Sequence, residues 1–72
     1  MRKVYKLENL DCANCAAKMQ DDISKIEGVT KASVSFLTQK LTIQADVDDI
    51  DPIIDEAQRV CSKYEPDCVI LR

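Results

Sequence analysis

Histidine is absent from these 72 residues. Without it there is no Ser/His/Asp set for nucleophilic catalysis, and any metal site must be built from sulfur and oxygen. Glycine occurs once, which excludes a glycine-rich loop that cradles phosphates. No apolar run approaches the roughly 18 to 20 residues that cross a bilayer, so direct membrane insertion is not expected. Basic residues do not outnumber acidic ones: 10 stand against 13, a net charge of −3. Nucleic acid requires a basic face, and this balance argues against it. The opening residues Met1-Arg2-Lys3-Val4 are basic but lead into no continuous apolar stretch. No secretory signal is therefore expected, and the domain reads as cytoplasmic, free or tethered to something larger.

The residues that are present are those of an ordinary folded protein, 46% hydrophobic and 32% charged. A chain this short makes one domain at most, read here as a single unit over residues 1–72. Such a chain buries only about 60% of the surface its unfolded form exposes. Domains of this size lean on a metal, a disulfide or very regular packing. A walled catalytic cleft does not fit, so the domain by itself is expected not to be an enzyme. There are four cysteines, Cys12, Cys15, Cys61 and Cys68. With no export signal, and with two of them in a CxxC, they read as free thiols of a reducing compartment.

The hydrophobic period changes along the chain. Residues 3–8 alternate, with Tyr5 and Leu7 to one side and Lys6 and Glu8 to the other, which predicts a half-buried strand. From Cys15, the residues Ala16, Met19, Ile23 and Ile26 recur at helical spacing, and Gly28 reads as the stop. Ala32, Val34 and Phe36, then Leu41, Ile43 and Ala45, alternate on either side of a turn near Thr38 and predict a hairpin. Ile50, Ile53, Ile54, Ala57 and Cys61 share one face of a second helix. Asp49 or Asp51 can cap that helix, Pro52 fits its first turn, and residues 63–66 break it. Residues 68–71 form a last strand. The order is βαββαβ. The economical packing is an α+β ferredoxin-like sandwich, two helices on one face of a four-stranded antiparallel sheet.

The segment that carries chemistry is Asn9-Leu10-Asp11-Cys12-Ala13-Asn14-Cys15, where the first strand becomes the first helix. Two cysteines three apart at a loop-to-helix junction can turn both sulfurs toward one point. The positive end of the helix and its free N–H groups favour the thiolate, which is the ligand form. Soft sulfur selects Cu(I), Zn(II), Cd(II) or Pb(II) over hard cations. A dithiol redox protein uses the same motif, usually on a longer thioredoxin-type fold.

These residues resemble the heavy-metal-associated domain. That family includes small metallochaperones and cytosolic N-terminal domains of heavy-metal-transporting P-type ATPases. Its signature is Gly-Met-Thr/Asp-Cys-x-x-Cys, and Asp11-Cys12-Ala13-Asn14-Cys15 matches the core of it. Leu10 stands where the family has a Met packed beneath the loop. Ile26-Glu27-Gly28-Val29 is similar to the family's end of the first helix. Tyr64 falls near the position that carries an aromatic or a lysine over the metal. Asn9 departs from the usual Gly, and Lys63-Tyr64-Glu65-Pro66-Asp67 replaces the usual Gly-Tyr turn.

The resemblance implies an Asp11 that matters for selectivity. Family members specific for Cu(I) typically have Thr or Ser there, and members linked to Zn(II), Cd(II) and Pb(II) export often have Asp. Two thiolates on Cu(I) give a net charge of −1, and a carboxylate would make it −2, which is costly in a partly desolvated loop. A divalent ion with the same three ligands leaves −1. The expected site is therefore Cys12, Cys15 and Asp11, supported by Asn9, Leu10 and Tyr64, with a fourth position open for transfer. The competing reading makes Asp11 the helix N-cap. Expected partners are the ion, other domains of a transporting ATPase, or a metallochaperone; the domain itself is expected to be a monomer. The first alternative is a free-standing Cu(I) metallochaperone, and the second is the dithiol redox protein. Cys61 and Cys68 read as buried hydrophobes and Met19 as core filling. Tyr64 reads either as a lid or as an anchor. The acids at Asp46, Asp48, Asp49 and Asp51 lack the EF-hand pattern and read as a solvated cap.

Overall fold

A computed structural model describes residues 1–72. The elements follow in the order β1 (Arg2–Glu8), α1 (Ala13–Ser24), β2 (Val29–Ser35), β3 (Lys40–Ala45), α2 (Asp51–Tyr64) and β4 (Val69–Leu71). The sheet runs β2-β3-β1-β4 with every pairing antiparallel, as the ferredoxin-like arrangement requires. No helix is long and apolar enough to cross a membrane.

Alternation places Leu7, Ala32, Val34, Leu41, Ile43, Ala45 and Ile70 on the inner face of the sheet, all buried. The helical stripes Ala16-Met19-Ile23 and Ile53-Ile54-Ala57-Cys61 close over them. Together with Leu10, Ile50 and Cys68 they form one core of 17 buried residues, with no buried polar side chain among them. Non-directional burial at about 25 cal/mol per Å2 of apolar surface is what holds so small a unit together.

Several boundaries differ from the expectation. Helix α1 begins at Ala13, two residues before Cys15, because Cys12 caps it. It ends at Ser24 and not at Gly28. The chain then tightens through N–H bonds three residues back, from Lys25 to Asp22 and from Ile26 to Ile23. Gly28 serves the next turn, at φ +92°, where a Cβ would lie 3.1 Å from Val47 Cγ1. Phe36 lies in the β2–β3 turn beyond the strand. Helix α2 runs through Lys63 to Tyr64. Its N-cap is Ile50, and Asp49 supports it from one residue further out by accepting from the Asp51 N–H.

Candidate metal centre

Strand β1 delivers the chain to the site at Glu8, and the next residue turns it. Asn9 adopts φ 63°, the left-handed region. This explains the departure from glycine: asparagine is among the few L-residues that enter this region readily. Its side-chain Nδ2 donates to the Asp67 carbonyl at 3.1 Å, tying this loop to the α2–β4 loop. Leu10 is buried beneath the loop, where it was expected. Its backbone is clipped on both sides by one side chain. The Leu10 N–H donates to Gln39 Oε1 at 3.2 Å, and Gln39 Nε2 donates back to the Leu10 carbonyl at 2.8 Å.

Cys12 is the N-cap of α1, in extended conformation, and its Sγ accepts the Cys15 N–H at 3.1 Å. The capping reading of Asp11 is therefore corrected: sulfur takes the place usually held by a side-chain oxygen. Hydrogen bonds from Cys15, its thiol first and its backbone N–H second, lower the Cys12 thiol below its ordinary value. The same thiol contact, with partial burial, pushes Cys15 up to about 11. The contact thus favours ionisation of Cys12 before Cys15. Cys15 Sγ also lies 4.0 Å from the Tyr64 carbonyl, a further acceptor for its proton.

The residue placed to act as a third donor is Glu65. A carboxylate oxygen of Glu65 and the two sulfurs all lie within 4.8 Å of one another. Ligands of a tetrahedral zinc, at about 2.3 Å for sulfur and 2.0–2.2 Å for oxygen, stand roughly 3.6–3.8 Å apart. The donor set suits a soft ion, and small side-chain rotations bring it to that spacing. Asp11 is exposed, outside this group, and in no ion pair.

Tyr64 is an anchor and not a lid. Its hydroxyl donates to the Asp22 carboxylate on α1, and Lys63 Nζ lies 3.8 Å from the same carboxylate. The shared hydrogen bond holds Asp22 below its usual carboxylate value and pushes Tyr64 up. This bond fixes the end of α2 against α1, and so sets Glu65 opposite the cysteines. The Glu65 N–H donates to the Cys61 carbonyl at 2.8 Å and its own carbonyl accepts from the Cys68 N–H at 2.9 Å, which holds the turn. Cys61 and Cys68 are 0% and 1% exposed, in the core as expected, and Met19 is buried with them. Sequence reasoning missed Glu65, although the altered stretch at residues 63–67 was the signal that pointed to it.

The model of the heavy-metal-associated domain matches residues 4–63. The chain belongs to that family. Among relatives of this heavy-metal-associated domain is the probable cadmium-transporting ATPase of Listeria monocytogenes, 45% identical over 42 residues. That match takes in 58% of this chain and only 6% of the relative's length. The solved N-terminal domain of ZntA in its Zn(II) form is 28% identical with a TM-score of 0.71, covering 97% of this chain and 88% of that one. The CopZ metallochaperone, 15% identical with a TM-score of 0.74 and covering 99% of this chain and all of that one, shares the fold.

Proposed function

We propose that this domain binds a soft divalent ion, Zn(II), Cd(II) or Pb(II), as cargo and hands it on. The observation that carries this reading is the Glu65 carboxylate beside the two thiols. Two thiolates and one carboxylate leave −1 around a divalent ion and −2 around Cu(I). The second is penalised in a loop only partly open to water. Two relatives point the same way, the probable cadmium-transporting ATPase of Listeria and the N-terminal domain of ZntA in its Zn(II) form.

In this reading Cys12 supplies a thiolate directly, and Cys15 gives up its proton as the ion enters. Glu65 completes the inner side of the site. The fourth position stays open beside the exposed Asp11, whose charge adds to the field at the mouth without binding the ion, and an incoming sulfur of the partner enters there, so the ion moves by exchange of one ligand at a time. Asn9, Leu10 and Tyr64 hold the two loops in place. Residues 1–72 act as one unit, a cytoplasmic monomer with no catalysis of its own. It serves the membrane part of an exporting P-type ATPase, or takes its ion from a metallochaperone.

The test is a competitive titration of the reduced protein with Zn(II), Cd(II) and Cu(I), on the wild type, Glu65→Gln and Asp11→Ala. Glu65→Gln is expected to weaken the divalent ions by about a hundredfold, at the upper end for groups around a metal, while sparing Cu(I). Asp11→Ala is expected to act in the same direction, less strongly. Tight Cu(I) binding with poor divalent binding in the wild type would overturn the reading in favour of a copper chaperone.

A further inference from the structure

The sheet has a second face, turned away from the helices, and its charge is opposite to that of the chain. With Leu7, Leu41, Ile43 and Ala32 pointing inward, alternation sends Arg2, Lys6, Lys31 and Lys40 outward, all exposed. The only acid of the strands on that face is Glu8, at the far end opposite Val69. A chain of net charge −3 thus carries a sheet face of opposite sign.

Three features separate this face from a merely solvated one. First, Lys6 and Lys40 are directly opposite one another on neighbouring strands. Like charges in that position are destabilising, so the pair costs the fold something. Second, none of the four cations has a carboxylate partner. Every ion pair in the molecule uses an acid on α1 or α2: Asp21, Asp22, Asp55 or Glu56. Third, lysines that guard against edge-to-edge pairing belong on edge strands. Arg2, Lys6 and Lys40 lie on β1 and β3, the two central strands.

The register also sets the spacing. Arg2 and Lys31 both pair with Gln44, so they flank it from either side in one row. Lys6 and Lys40 form another row four residues away, about 13 Å along the strands. At the first row lies a shallow depression lined by Arg2, Lys31, Ser33, Thr42 and Gln44, with no apolar side chain; Lys6 and Lys40 stand beyond it on the same face.

We propose that this open face docks an acidic segment of a partner protein, with one carboxylate between Lys6 and Lys40 and a second between Arg2 and Lys31. Discrete carboxylates suit the lining: guanidinium, hydroxyl and amide groups donate hydrogen bonds in fixed directions. A lipid surface would favour large apolar wedges among the cations; the face carries only Val4 between the two rows and Val69 and Leu71 on the β4 edge, none of them aromatic. The surface is separate from the cysteine loop and does not depend on which ion is carried.

The experiment uses two extended threonine-rich peptides of equal charge, one with glutamates four residues apart and one with adjacent glutamates. Each is titrated into the isotopically labelled domain and followed by amide NMR shifts. The spaced peptide is expected to shift the outer face of β1 to β3 and to bind several-fold tighter than the other. Lys6→Glu places opposite charges across the strands. It is expected to raise Tm while weakening the peptide roughly tenfold, with metal affinity unchanged. A structural role for Lys6 would move stability and binding together. Equal binding of the two peptides would overturn the proposal. So would shifts confined to the helices, or self-association through this face. Preferential adsorption to vesicles containing roughly a third phosphatidylserine would assign the face to lipid and overturn it as well.

Discussion

Cys12 and Cys15 sit at the start of α1, half-exposed, with a carboxylate beside them; Cys61 and Cys68 lie at the end of α2 and just before β4, closed off from water. The residue type is the same in both places, so the difference comes from what surrounds the sulfur. At the first pair, the neighbouring Cys15 thiol and then the backbone N–H groups at the helix start lower Cys12 and favour its ligand form. At the second pair, burial pushes Cys61 up to about 12 and raises Cys68, and both remain neutral thiols that pack like small aliphatic side chains. Reactivity in this chain follows exposure at a helix N-terminus; stability follows burial in the core.

Exchanging the two kinds of loss should separate them most widely. Cys15→Ser is expected to reduce metal affinity by roughly a thousandfold or more while leaving the thermal transition nearly unchanged. Cys61→Ala should leave the titration intact and cost about 1 kcal/mol, a fall of about 4–8 °C in Tm for a domain of this size. Metal loss in Cys61→Ala at a temperature where the domain is still folded would break the comparison. Thiol labelling of the reduced, metal-free domain gives the next largest contrast. Cys12 and Cys15 should react freely, and Cys61 and Cys68 about a hundred- to a thousandfold more slowly, since they react only when the core opens.

Alkaline pH should act on the two pairs in opposite senses. Cys15 is held protonated up to about 11, and the ion must displace that proton. Metal affinity should therefore rise with pH, about tenfold per unit for each proton displaced. Cys61 has its folded value raised to about 12 from an ordinary 9.0. Its contribution to stability is whole below pH 9.0 and is lost as pH climbs toward about 12, because the unfolded thiol ionises first. Denaturation midpoints and metal titrations over pH 7 to 10 would show the two trends diverging. The smallest effect concerns the loop that presents the first pair. Asn9→Gly should be close to neutral, whereas Asn9→Ala should cost about 1 kcal/mol, because alanine is strained at positive φ. Equal cost for the two would mean that the Asp67 hydrogen bond, and not the backbone conformation, is what Asn9 supplies.

The layers of this fold were legible because each element repeats its own period. Alternation at Ala32-Val34 and Leu41-Ile43, and the stripe from Ile53 to Cys61, each point to one buried face. The CxxC was legible for a similar reason, since both sulfurs lie within one turn of chain. Glu65 was not. Its neighbour Tyr64 is 49 residues from Cys15, and the two approach only because α2 ends where Tyr64 reaches Asp22. No local pattern encodes that meeting. The cap was missed because cysteine is an uncommon N-cap, and capping was weighed only for the oxygen-bearing Asp11 beside it, as the competing reading to ligation.

Gln39 holds the metal loop from behind, with its side chain bonded to both polar groups of Leu10 and to the Phe36 carbonyl. Ordering a backbone costs about 1–2 kcal/mol of entropy per residue, and here that cost falls on folding and not on capture of the ion. The loop backbone is held in this shape before any ion arrives, and a loaded domain is expected to keep it. Empty and loaded domains then differ in electric field more than in form. A receiving partner that must tell them apart has to sense the change in charge at the mouth of the loop, and its rate of recognition should weaken as salt screens that field.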